Sequence, residues 1–297
     1  MTRVYNIIVN PTAHDYKKQH VDYLIDRIKK AQCAYFIAEP DSVKTATYHL
    51  RNILGKRPYG IIACGGDSTV NLVARHLIRR RSSLGILPLG RFNNIYRSLY
   101  GEPDIKSAVD HILSRKNKII DGAMASGRFF LGSIGFGFVP EMYEILSHKR
   151  TPKFSVSWSR AASAASSLVV PAPLTIKIDA FQFECAPLIL NINLLPHVVG
   201  LPLVPEAIPD DGKCEVIFDM GEAKAILSRY VRRIFKNRYL YSDEIRMFRG
   251  NRITIFPARG RKMYIDGEIV ECREDIISVD ILEKRIRILT KSEGVST

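Results

Sequence analysis

Strand-like and helix-like segments alternate through the first half of the chain, and this alternation constrains the fold more than any other feature. Val4 to Val9 is a short apolar run, and after it apolar residues recur at helical spacing from Val21 to Ile28. Further strand-like runs occur at Ala34 to Ala38, Gly60 to Cys64 and Leu84 to Leu87, again with helix-like segments between them. Such alternation predicts a three-layer α/β domain with a parallel sheet, in which ligands bind at the carboxyl ends of the strands.

The pattern changes between Lys118 and Gly122. Beyond this point, short strand-like runs separated by Gly, Pro or Asp turns predict a mainly antiparallel β-sandwich domain. These runs are Phe129 to Ser133, Thr175 to Ile178, Leu188 to Asn193, Cys214 to Phe218, Arg252 to Phe256 and Lys262 to Ile265. Two helices, Val156 to Val169 and Glu222 to Asn237, are predicted to interrupt them. We expect one domain over residues 1–122 and a second over 123–297, with the final run Arg285 to Leu289 pairing in either domain.

Composition excludes several classes of protein. The chain has 297 residues, of which 46% are hydrophobic and 25% charged, as in ordinary globular proteins, so a disordered or collagen-like chain is excluded. No apolar run is long enough to span a bilayer, and the N-terminus lacks the apolar core of a signal peptide. The five cysteines include no CxxC pair, so neither a disulfide framework nor a zinc knuckle is indicated. We expect a cytoplasmic protein with reduced thiols.

The formal net charge of +14, from 44 Lys and Arg against 30 Asp and Glu, points to an anionic partner. The predicted helix from Glu222 to Asn237 combines an apolar stripe with cations such as Arg232 and Arg233, a pattern typical of peripheral contact with an anionic membrane surface. A solvated basic face over a core-facing stripe is the alternative. Nucleic acid is not expected as a partner, because no helix-turn-helix, zinc-finger or stacking motif is present.

The first motif that points to chemistry is Gly65-Gly66-Asp67-Ser68-Thr69-Val70-Asn71, between a buried strand and an amphipathic helix. Two glycines allow the backbone to approach a phosphate closely, and the N-terminus of the following helix offers N–H donors to it. Asp67 is suited to hold a metal ion or water beside the phosphate. The alternative is a plain glycine turn with Asp67 as the helix cap.

The second motif follows the neighbouring strand: Pro88-Leu89-Gly90, then Arg91-Phe92-Asn93-Asn94. Adjacent strands of a parallel sheet bring the loops at their carboxyl ends into one crevice. Arg91 is suited to grip a phosphate with its planar guanidinium group. Phe92 is suited either to stack on a base or to fill the crevice.

With these motifs in order, the chain resembles the diacylglycerol kinase catalytic-domain family, in its bacterial-type soluble lipid kinase branch, with sphingosine and ceramide kinases as relatives. The resemblance covers nearly the whole chain. The further matching segments are Asn10-Pro11, Ile134-Gly135-Phe136-Gly137, Asn193, Asp210-Asp211-Gly212 and Ile265-Asp266-Gly267-Glu268.

The resemblance implies ATP-dependent phosphorylation of a hydroxyl of diacylglycerol or a similar lipid, supplied from a membrane surface, with ATP in the interdomain crevice. It implies Glu268 as the proton acceptor, and Asp67 as the residue that orders Mg²⁺ and phosphate. It also implies a Mg²⁺ held by Asp211 with the backbone carbonyls of Ile208 and Lys213. The implied nucleotide-binding residues are Gly65, Gly66, Asp67, Ser68, Thr69, Asn71, Arg91 and Asn93. A homodimer is expected from the family alone.

The sequence departs from the family at the nucleotide loops. The family's Thr-Gly-Asn-Asp is replaced by Arg91-Phe92-Asn93-Asn94, and Ser68 stands where the family has glycine. A Cβ at a position of positive φ costs roughly 1 kcal/mol or more. These departures leave open a non-catalytic protein of the same fold that binds a nucleotide or a lipid. A third reading is NAD kinase or phosphofructokinase activity, since those enzymes share the first loop.

Overall fold

The computed structural model describes residues 3–147, 156–220 and 245–291, which divide into two units. The first unit contains the described residues up to Asp121 and those from Glu283 onward, and the second runs from Gly122 to Leu282. The sequence placed the domain boundary after Gly122 and left the pairing of the last strand open. The predicted basic helix from Glu222 to Asn237 lies outside the described residues.

The first unit is an α/β domain with a parallel sheet, as the alternation predicted. Its strands are β1 (Val4–Val9), β2 (Ala34–Ala38), β3 (Gly60–Gly65) and β4 (Ser83–Pro88), and its helices are α1 (Lys18–Lys30), α2 (Val43–Leu54), α3 (Asp67–Leu77), α4 (Asn94–Tyr100) and α5 (Ile105–Leu113). The strands pair in the order β2-β1-β3-β4, all parallel. Strand β5 (Asn117–Ala125) leaves this unit for the second.

Local sequence explains the elements of the first unit. Helix α1 buries Val21, Leu24 and Ile28, which recur at helical spacing. Helix α2 begins after Ser42, whose side chain accepts the Thr45 N–H as an N-cap. Strand β3 is buried along its whole length, which is typical of a strand inside a parallel sheet.

The second unit is a sandwich of two antiparallel sheets. Its elements are β6 (Arg128–Phe130), β7 (Ser133–Gly137), α6 (Phe138–Ser147), α7 (Val156–Leu168), β8 (Leu174–Ile178), β9 (Phe181–Cys185), β10 (Ile189–Asn193), β11 (His197–Val198), β12 (Leu201–Pro202), β13 (Cys214–Asp219), β14 (Ile245–Gly250), β15 (Arg252–Phe256), β16 (Lys262–Ile265), β17 (Glu268–Glu271) and β18 (Ile277–Leu289). One sheet has the order β14-β13-β10-β7-β16-β17, and in the other β15 pairs with β8 and with the start of β18. Phe136, Phe218, Ile255 and Val279 belong to one buried apolar cluster.

Two sequence predictions differ from the second unit. The predicted strand Phe129 to Ser133 is divided between β6 and β7. Helix α6 was not predicted, because the apolar start Phe138-Val139-Pro140 does not distinguish a helix from a strand. Strand β18 begins in the second unit and ends in the first, where Ile288 pairs in parallel with Leu84 of β4.

Two global expectations concern cysteines and membranes. All five cysteines are free, and Cys64, Cys214 and Cys272 are buried. Within the described parts of the chain, none of the helices has the length and hydropathy that a membrane crossing requires.

Candidate active site

The glycine-rich loop is the turn between β3 and α3 in the first unit. Gly65 ends β3 and Asp67 begins α3. A Cβ atom on Gly65 would lie 2.4 Å from Thr69 Oγ1, so this turn has room for glycine only. The Asn10 amide donates from Nδ2 to Thr69 Oγ1 over 3.2 Å. The turn is therefore tied to the loop that follows β1.

Ser68 occupies the first turn of α3, and its φ is negative. The family's glycine at this position is therefore not needed for a left-handed backbone here. The serine causes no strain, and its half-exposed side chain adds a hydroxyl group at the start of the helix. The concern that a Cβ at this position would distort the loop does not apply to this chain.

The two predicted nucleotide loops touch each other. A Cβ atom on Gly90 would lie 2.3 Å from Gly66 Cα, a separation that real atoms do not adopt. The backbone N–H of Leu89 also donates to the Gly65 carbonyl oxygen over 2.9 Å. Glycine at both positions therefore allows the loops after β3 and β4 to pack backbone against backbone.

Asp67 joins the first loop to the second through three hydrogen bonds. Its Oδ2 atom accepts from the backbone N–H and the side-chain Nδ2 of Asn94, each over 3.0 Å, and its Oδ1 atom accepts the Ile95 N–H over 2.9 Å. The side chain is only 6% exposed. Asp67 therefore caps the N-terminus of α4, where unpaired N–H groups and the helix dipole favour a carboxylate. Its predicted role in ordering Mg²⁺ stays a prediction.

Asn93 shapes the second loop from within. It adopts a left-handed backbone conformation with φ 52°, which asparagine tolerates better than most residues. Its side chain accepts the Gly90 N–H and donates to the Gly90 carbonyl, both over 2.8 Å. The Asn93 side-chain amide thus hydrogen-bonds within the loop and holds the loop backbone in place. A contact between this loop and a nucleotide would therefore come from that backbone.

Arg91 and Phe92 replace a small hydroxyl residue and a glycine, and the Arg91 guanidinium carbon lies over the Phe92 ring, 5.8 Å from its centre. Phe92 is 7% exposed, so its ring belongs to the interior and is not available for stacking on a base. Arg91 Nη1 lies 3.1 Å from His14 Nε2 in the loop after β1, and His14 Nδ1 lies 2.9 Å from Asp15 Oδ1. Arg91 therefore places a cation between the first and fourth strand ends.

Together these loops combine several features that bind phosphate groups in proteins. The N-terminus of the 11-residue helix α3 follows two glycines, and Arg91 adds a positive charge at the neighbouring strand end. Unpaired N–H groups, a favourable helix dipole and a guanidinium group are the features that hold phosphates. Asn71, half-buried in α3, lies one turn beyond the loop.

The second unit carries another anchored aspartate. Asp266 accepts the backbone N–H groups of Leu131, Gly132 and Ser133 at 2.6, 2.9 and 2.9 Å, and it is 3% exposed. Asp266 and Gly267 have φ of 39° and 87°, between the paired residues Ile265 and Glu268. This is the two-residue type I′ hairpin turn that the Asp-Gly sequence favours.

Glu268, the predicted proton acceptor, is the first residue of β17 and is exposed. The hairpin that carries it is fixed on both sides, since Asp266 is anchored and the Tyr143 hydroxyl donates to the Gly267 carbonyl over 2.5 Å. Glu268 is thus an accessible carboxylate on a rigid support. A general base must lie within hydrogen-bond distance of the substrate hydroxyl, and an exposed carboxylate on a rigid hairpin can be held in such a position.

Asp211, the predicted magnesium ligand, already has cationic and N–H partners. The Lys213 backbone N–H donates to its Oδ1 atom over 3.1 Å, and the Arg249 guanidinium group forms an ion pair with Oδ2. Over the described residues, no three His, Cys, Asp or Glu side chains are grouped so that they could hold a metal ion. The residues as they stand do not fit a bound Mg²⁺, because Arg249 occupies the carboxylate that would hold it. The metal role of Asp211, Ile208 and Lys213 stays a prediction.

The sequence did not assign the polar row beside this turn. Asn193 pairs in register with Glu215, so both lie on the same face of the sheet as Asn191. Asn191 Nδ2 donates to Asn193 Oδ1 over 2.5 Å, and a Cβ on Gly135 would lie 2.1 Å from Asn191 Oδ1. The alternation of Asn191 and Asn193 with the apolar Leu190 and Ile192 is the signal that would have indicated this row.

Glu215 is a buried acid within this row. Arg249 Nε donates to its Oε1 atom over 3.0 Å, while its Oε2 atom has no hydrogen-bond partner among the described residues. Burial raises the pKa of Glu215 to about 8, and the charge of Glu206 adds to the increase. Desolvation therefore outweighs the guanidinium contact, which by itself favours the ionised form.

Family models match most of the chain. The diacylglycerol kinase catalytic domain matches residues 5–125, and the YegS C-terminal NAD kinase beta sandwich-like domain matches residues 132–280. The chain belongs to the family of the YegS C-terminal NAD kinase beta sandwich-like domain, whose model matches half of it, and its first unit matches a diacylglycerol kinase catalytic domain. The two matches fall on the α/β unit and on the β-sandwich unit in turn.

Similar proteins agree with this assignment. Curated proteins named diacylglycerol kinase are 26% identical over 275 residues in Staphylococcus haemolyticus, covering 90% of this chain and 83% of that one, and 25% identical over 268 residues in Staphylococcus saprophyticus, covering 88% of each. A crystal structure of a diacylglycerol kinase from Bacillus anthracis has a TM-score of 0.76 at 18% identity, covering 99% of this chain and 98% of that one. An NAD kinase from Archaeoglobus fulgidus, in complex with ATP, has a TM-score of 0.51 at 11% identity, covering 97% and 94%. At these identities the two structures show the shared fold.

Proposed function

We propose that the protein transfers the γ-phosphoryl group of ATP to a hydroxyl group of diacylglycerol or a similar lipid. The observation that carries this proposal is the packing of the two nucleotide loops against each other, which we call the joint between the loops. In it, Gly66 contacts Gly90, and Asp67 caps the N-terminus of α4. Arg91 and Phe92 have entered the second loop without disturbing this joint. Family membership and the relatives named diacylglycerol kinase support the lipid as the acceptor.

The chain's own residues supply positioning and proton transfer. The N–H groups at the start of α3 hold the phosphates of ATP, which enters as its magnesium complex, and Arg91 offsets negative charge. Glu268 accepts the proton of the lipid hydroxyl as its oxygen bonds to the γ-phosphorus. The bond from that phosphorus to the β–γ bridging oxygen breaks, and ADP leaves. Such a transfer needs little from the protein beyond placement and charge.

The test of the base is Glu268→Gln, with Glu271→Gln as the matched control. Both glutamates are exposed and lie at the two ends of β17. We expect Glu268→Gln to lower the rate of lipid phosphorylation at least 100-fold, measured with labelled ATP and diacylglycerol in mixed micelles, while ATP affinity is kept. Glu271→Gln should leave the rate unchanged. A normal rate in Glu268→Gln removes Glu268 from this role.

A second candidate function is binding of a nucleotide or a lipid without phosphoryl transfer. The observation that favours it is the loss of the family's Thr-Gly pair at Arg91 and Phe92, which brings a buried ring into the second loop. Calorimetric titration with ATP and Mg²⁺, combined with the assay of lipid phosphorylation, separates the two candidates. Binding with transfer by the native chain supports the kinase. Binding without transfer, or binding only after Arg91→Thr with Phe92→Gly, supports the second candidate.

We also propose peripheral contact with an anionic membrane surface, from which the lipid is drawn. The net charge of +14 and the cations of the segment from Glu222 to Asn237 support it. Arg232→Glu with Arg233→Glu should weaken sedimentation with anionic vesicles, and added salt should do the same to the native chain. Unchanged binding in the double variant contradicts the proposal. The cytoplasmic location and the homodimer stay predictions.

A further inference from the structure

The first unit contains a cavity of about 690 Å³ between α2 and the strands β1 and β2. This volume falls within the range of roughly 300–1,000 Å³ that is usual for small-molecule sites. No residue of the two nucleotide loops, Gly65 to Asn71 and Gly90 to Asn94, lines it. The cavity is therefore separate from the candidate active site.

The face of α2 that lines the cavity is mostly polar. His49, Asn52 and Ile53 of α2 line the cavity, and so does Lys56 in the turn that follows the helix. The buried apolar residues of the same helix, Ala46, Leu50 and Leu54, form a different stripe. A helix face that only packed on a sheet would be apolar. This polar face is therefore arranged for something other than packing on β1 and β2.

The opposite wall, on the strands, is apolar except for one buried amide. Val4 and Phe36 line it, and Asn6 lies between them, in register with Phe36. Asn6 is only 6% exposed, and its side chain has no hydrogen-bond partner in the described parts of the chain. Its amide atoms are not among the fully buried unpaired atoms, so they are accessible from the cavity and can hydrogen-bond to a ligand there.

The charges around the cavity favour an anion. None of the described residues that line it is acidic, whereas Lys56 and Arg57 lie at its rim. Lys56 Nζ is 6.0 Å from the centre of the Phe36 ring, and that ring is 62% exposed. An aromatic face and a cation thus lie side by side at the opening.

We propose that this cavity binds a flat heteroaromatic anion. Its ring lies on the apolar surface of Val4 and Phe36, a polar edge of the ring hydrogen-bonds to Asn6, and its negative group lies beside Lys56. A fatty acyl chain fits less well, because it would leave the Asn6 amide unpaired and would place methylene groups against a polar helix face. The same chemistry comes from two sources, a nucleoside monophosphate or an aromatic carboxylate.

The test titrates the full-length protein with AMP, salicylate and palmitate by calorimetry, with saturation-transfer NMR to report ring contact. We expect AMP or salicylate to bind with one site per chain. The probe with the higher affinity shows whether the ligand is a nucleoside monophosphate or an aromatic carboxylate. Lys56→Glu, at the rim, should weaken this binding at least tenfold. Lys44→Glu is the matched control, since Lys44 lies on α2 but does not line the cavity.

A second pair of variants distinguishes this cavity from the nucleotide loops. Gly90→Ala disrupts the loop contact, since its Cβ would lie 2.3 Å from Gly66 Cα, and it should leave binding in the cavity intact. Asn6→Val should abolish that binding while ATP still binds. The inference is overturned if no aromatic anion binds, if only palmitate binds, or if binding is lost in Gly90→Ala and unchanged in Lys56→Glu. Phosphorylation of the lipid is not a readout here, so its absence contradicts only the proposed function.

Discussion

Asp67 in the first unit and Asp266 in the second are both buried aspartates in family motifs, and each accepts three N–H groups. Asp266 takes its three hydrogen bonds from consecutive backbone N–H groups, Leu131 to Ser133. Asp67 takes two from the backbone at the start of α4 and one from the Asn94 side chain. These three hydrogen bonds of Asp266 depend on main-chain geometry, whereas one of those of Asp67 depends on the identity of residue 94.

This difference indicates which carboxylates are free for chemistry. Both buried acids accept backbone N–H groups, and such hydrogen bonds make a site rigid. Glu268 differs from both because it is exposed on the hairpin that Asp266 anchors. The structure therefore separates acids that hold the site from the acid that is proposed to react in it.

Asp266→Ala is the largest expected effect. Three buried N–H groups would lose their acceptor, and we expect the free energy of unfolding of the second unit to fall by about 3 kcal/mol or more. Hydrogen exchange of the Leu131, Gly132 and Ser133 amides measures it locally. Asp266→Asn is the control, because it keeps one acceptor oxygen and tolerates the positive φ. If these amides were equally protected from hydrogen exchange in native protein and in Asp266→Ala, the claim that Asp266 anchors them would be wrong.

Asp67→Ala comes next. Part of its lost hydrogen bonding can be replaced by water at the short helix α4, so we expect about 2 kcal/mol of destabilisation. The second loop should also lose its position, which lowers ATP affinity at least tenfold in calorimetry. Asp22→Ala, on the exposed face of α1, is the matched control. Native ATP affinity in Asp67→Ala would show that the joint between the loops is not needed for binding.

Asn94→Asp sharpens the comparison, because it restores the family's residue at the position where the two anchors differ. The Asn94 amide donates to Asp67 Oδ2 over 3.0 Å, and a carboxylate there would face another carboxylate. We expect a loss of about 1 kcal/mol at neutral pH, measured by urea unfolding. Added Mg²⁺ should restore the stability if a metal ion can replace the lost donor. Unchanged stability without Mg²⁺ would contradict the contact between Asp67 and Asn94.

Sequence patterns predicted what depends on neighbours along the chain. The strand-to-helix turn at Gly65 to Asp67 and the hairpin turn at Asp266-Gly267 both follow from local backbone preferences. The sequence alone did not show that Asp67 caps a helix beginning 27 positions later, or that Asp266 reaches back to Leu131. These contacts depend on how strands are ordered in the sheets, and no local pattern records that order.

The lack of three-dimensional information in local patterns also explains why two differences from the family motifs, Ser68 and Phe92, were difficult to interpret from the sequence. Ser68 stands where the family has glycine, and from the sequence it suggested strain. The helix begins one residue earlier, so the position has an ordinary backbone conformation. Phe92 was expected either to stack on a base or to fill the crevice, and its buried ring argues against stacking on a base. Substituting a motif residue predicts loss of function only when the backbone or the exposure of that residue is known.

The smallest expected effect is the pH dependence that two histidines add in the first unit. It has the opposite sign to that of Glu215 in the second unit, whose raised pKa makes the fold less stable as the pH rises toward about 8. Burial lowers the pKa of both His76 and His111 from 6.5, and His111 Nδ1 accepts the Lys291 N–H over 2.9 Å as a neutral ring. The unfolded chain takes up protons as the pH falls through about 6.5, and the folded chain does so only at lower pH. The stability that the two neutral histidines contribute is therefore lost below pH 6.5 and is fully present above it.

The difference in Tm between native protein and His111→Gln, followed from pH 7.5 to pH 5.5, measures the contribution of His111, which we expect to amount to about 1 kcal/mol or less. His111→Gln should flatten the curve, because glutamine offers an acceptor to the Lys291 N–H without binding a proton. An equal slope in native protein and in His111→Gln would assign the pH dependence to other groups. Since the Asp266 hairpin contains no histidine, hydrogen exchange at Leu131 to Ser133 should not follow the same pH curve. Loss of protection there in parallel with the first unit would mean that the two anchors unfold together.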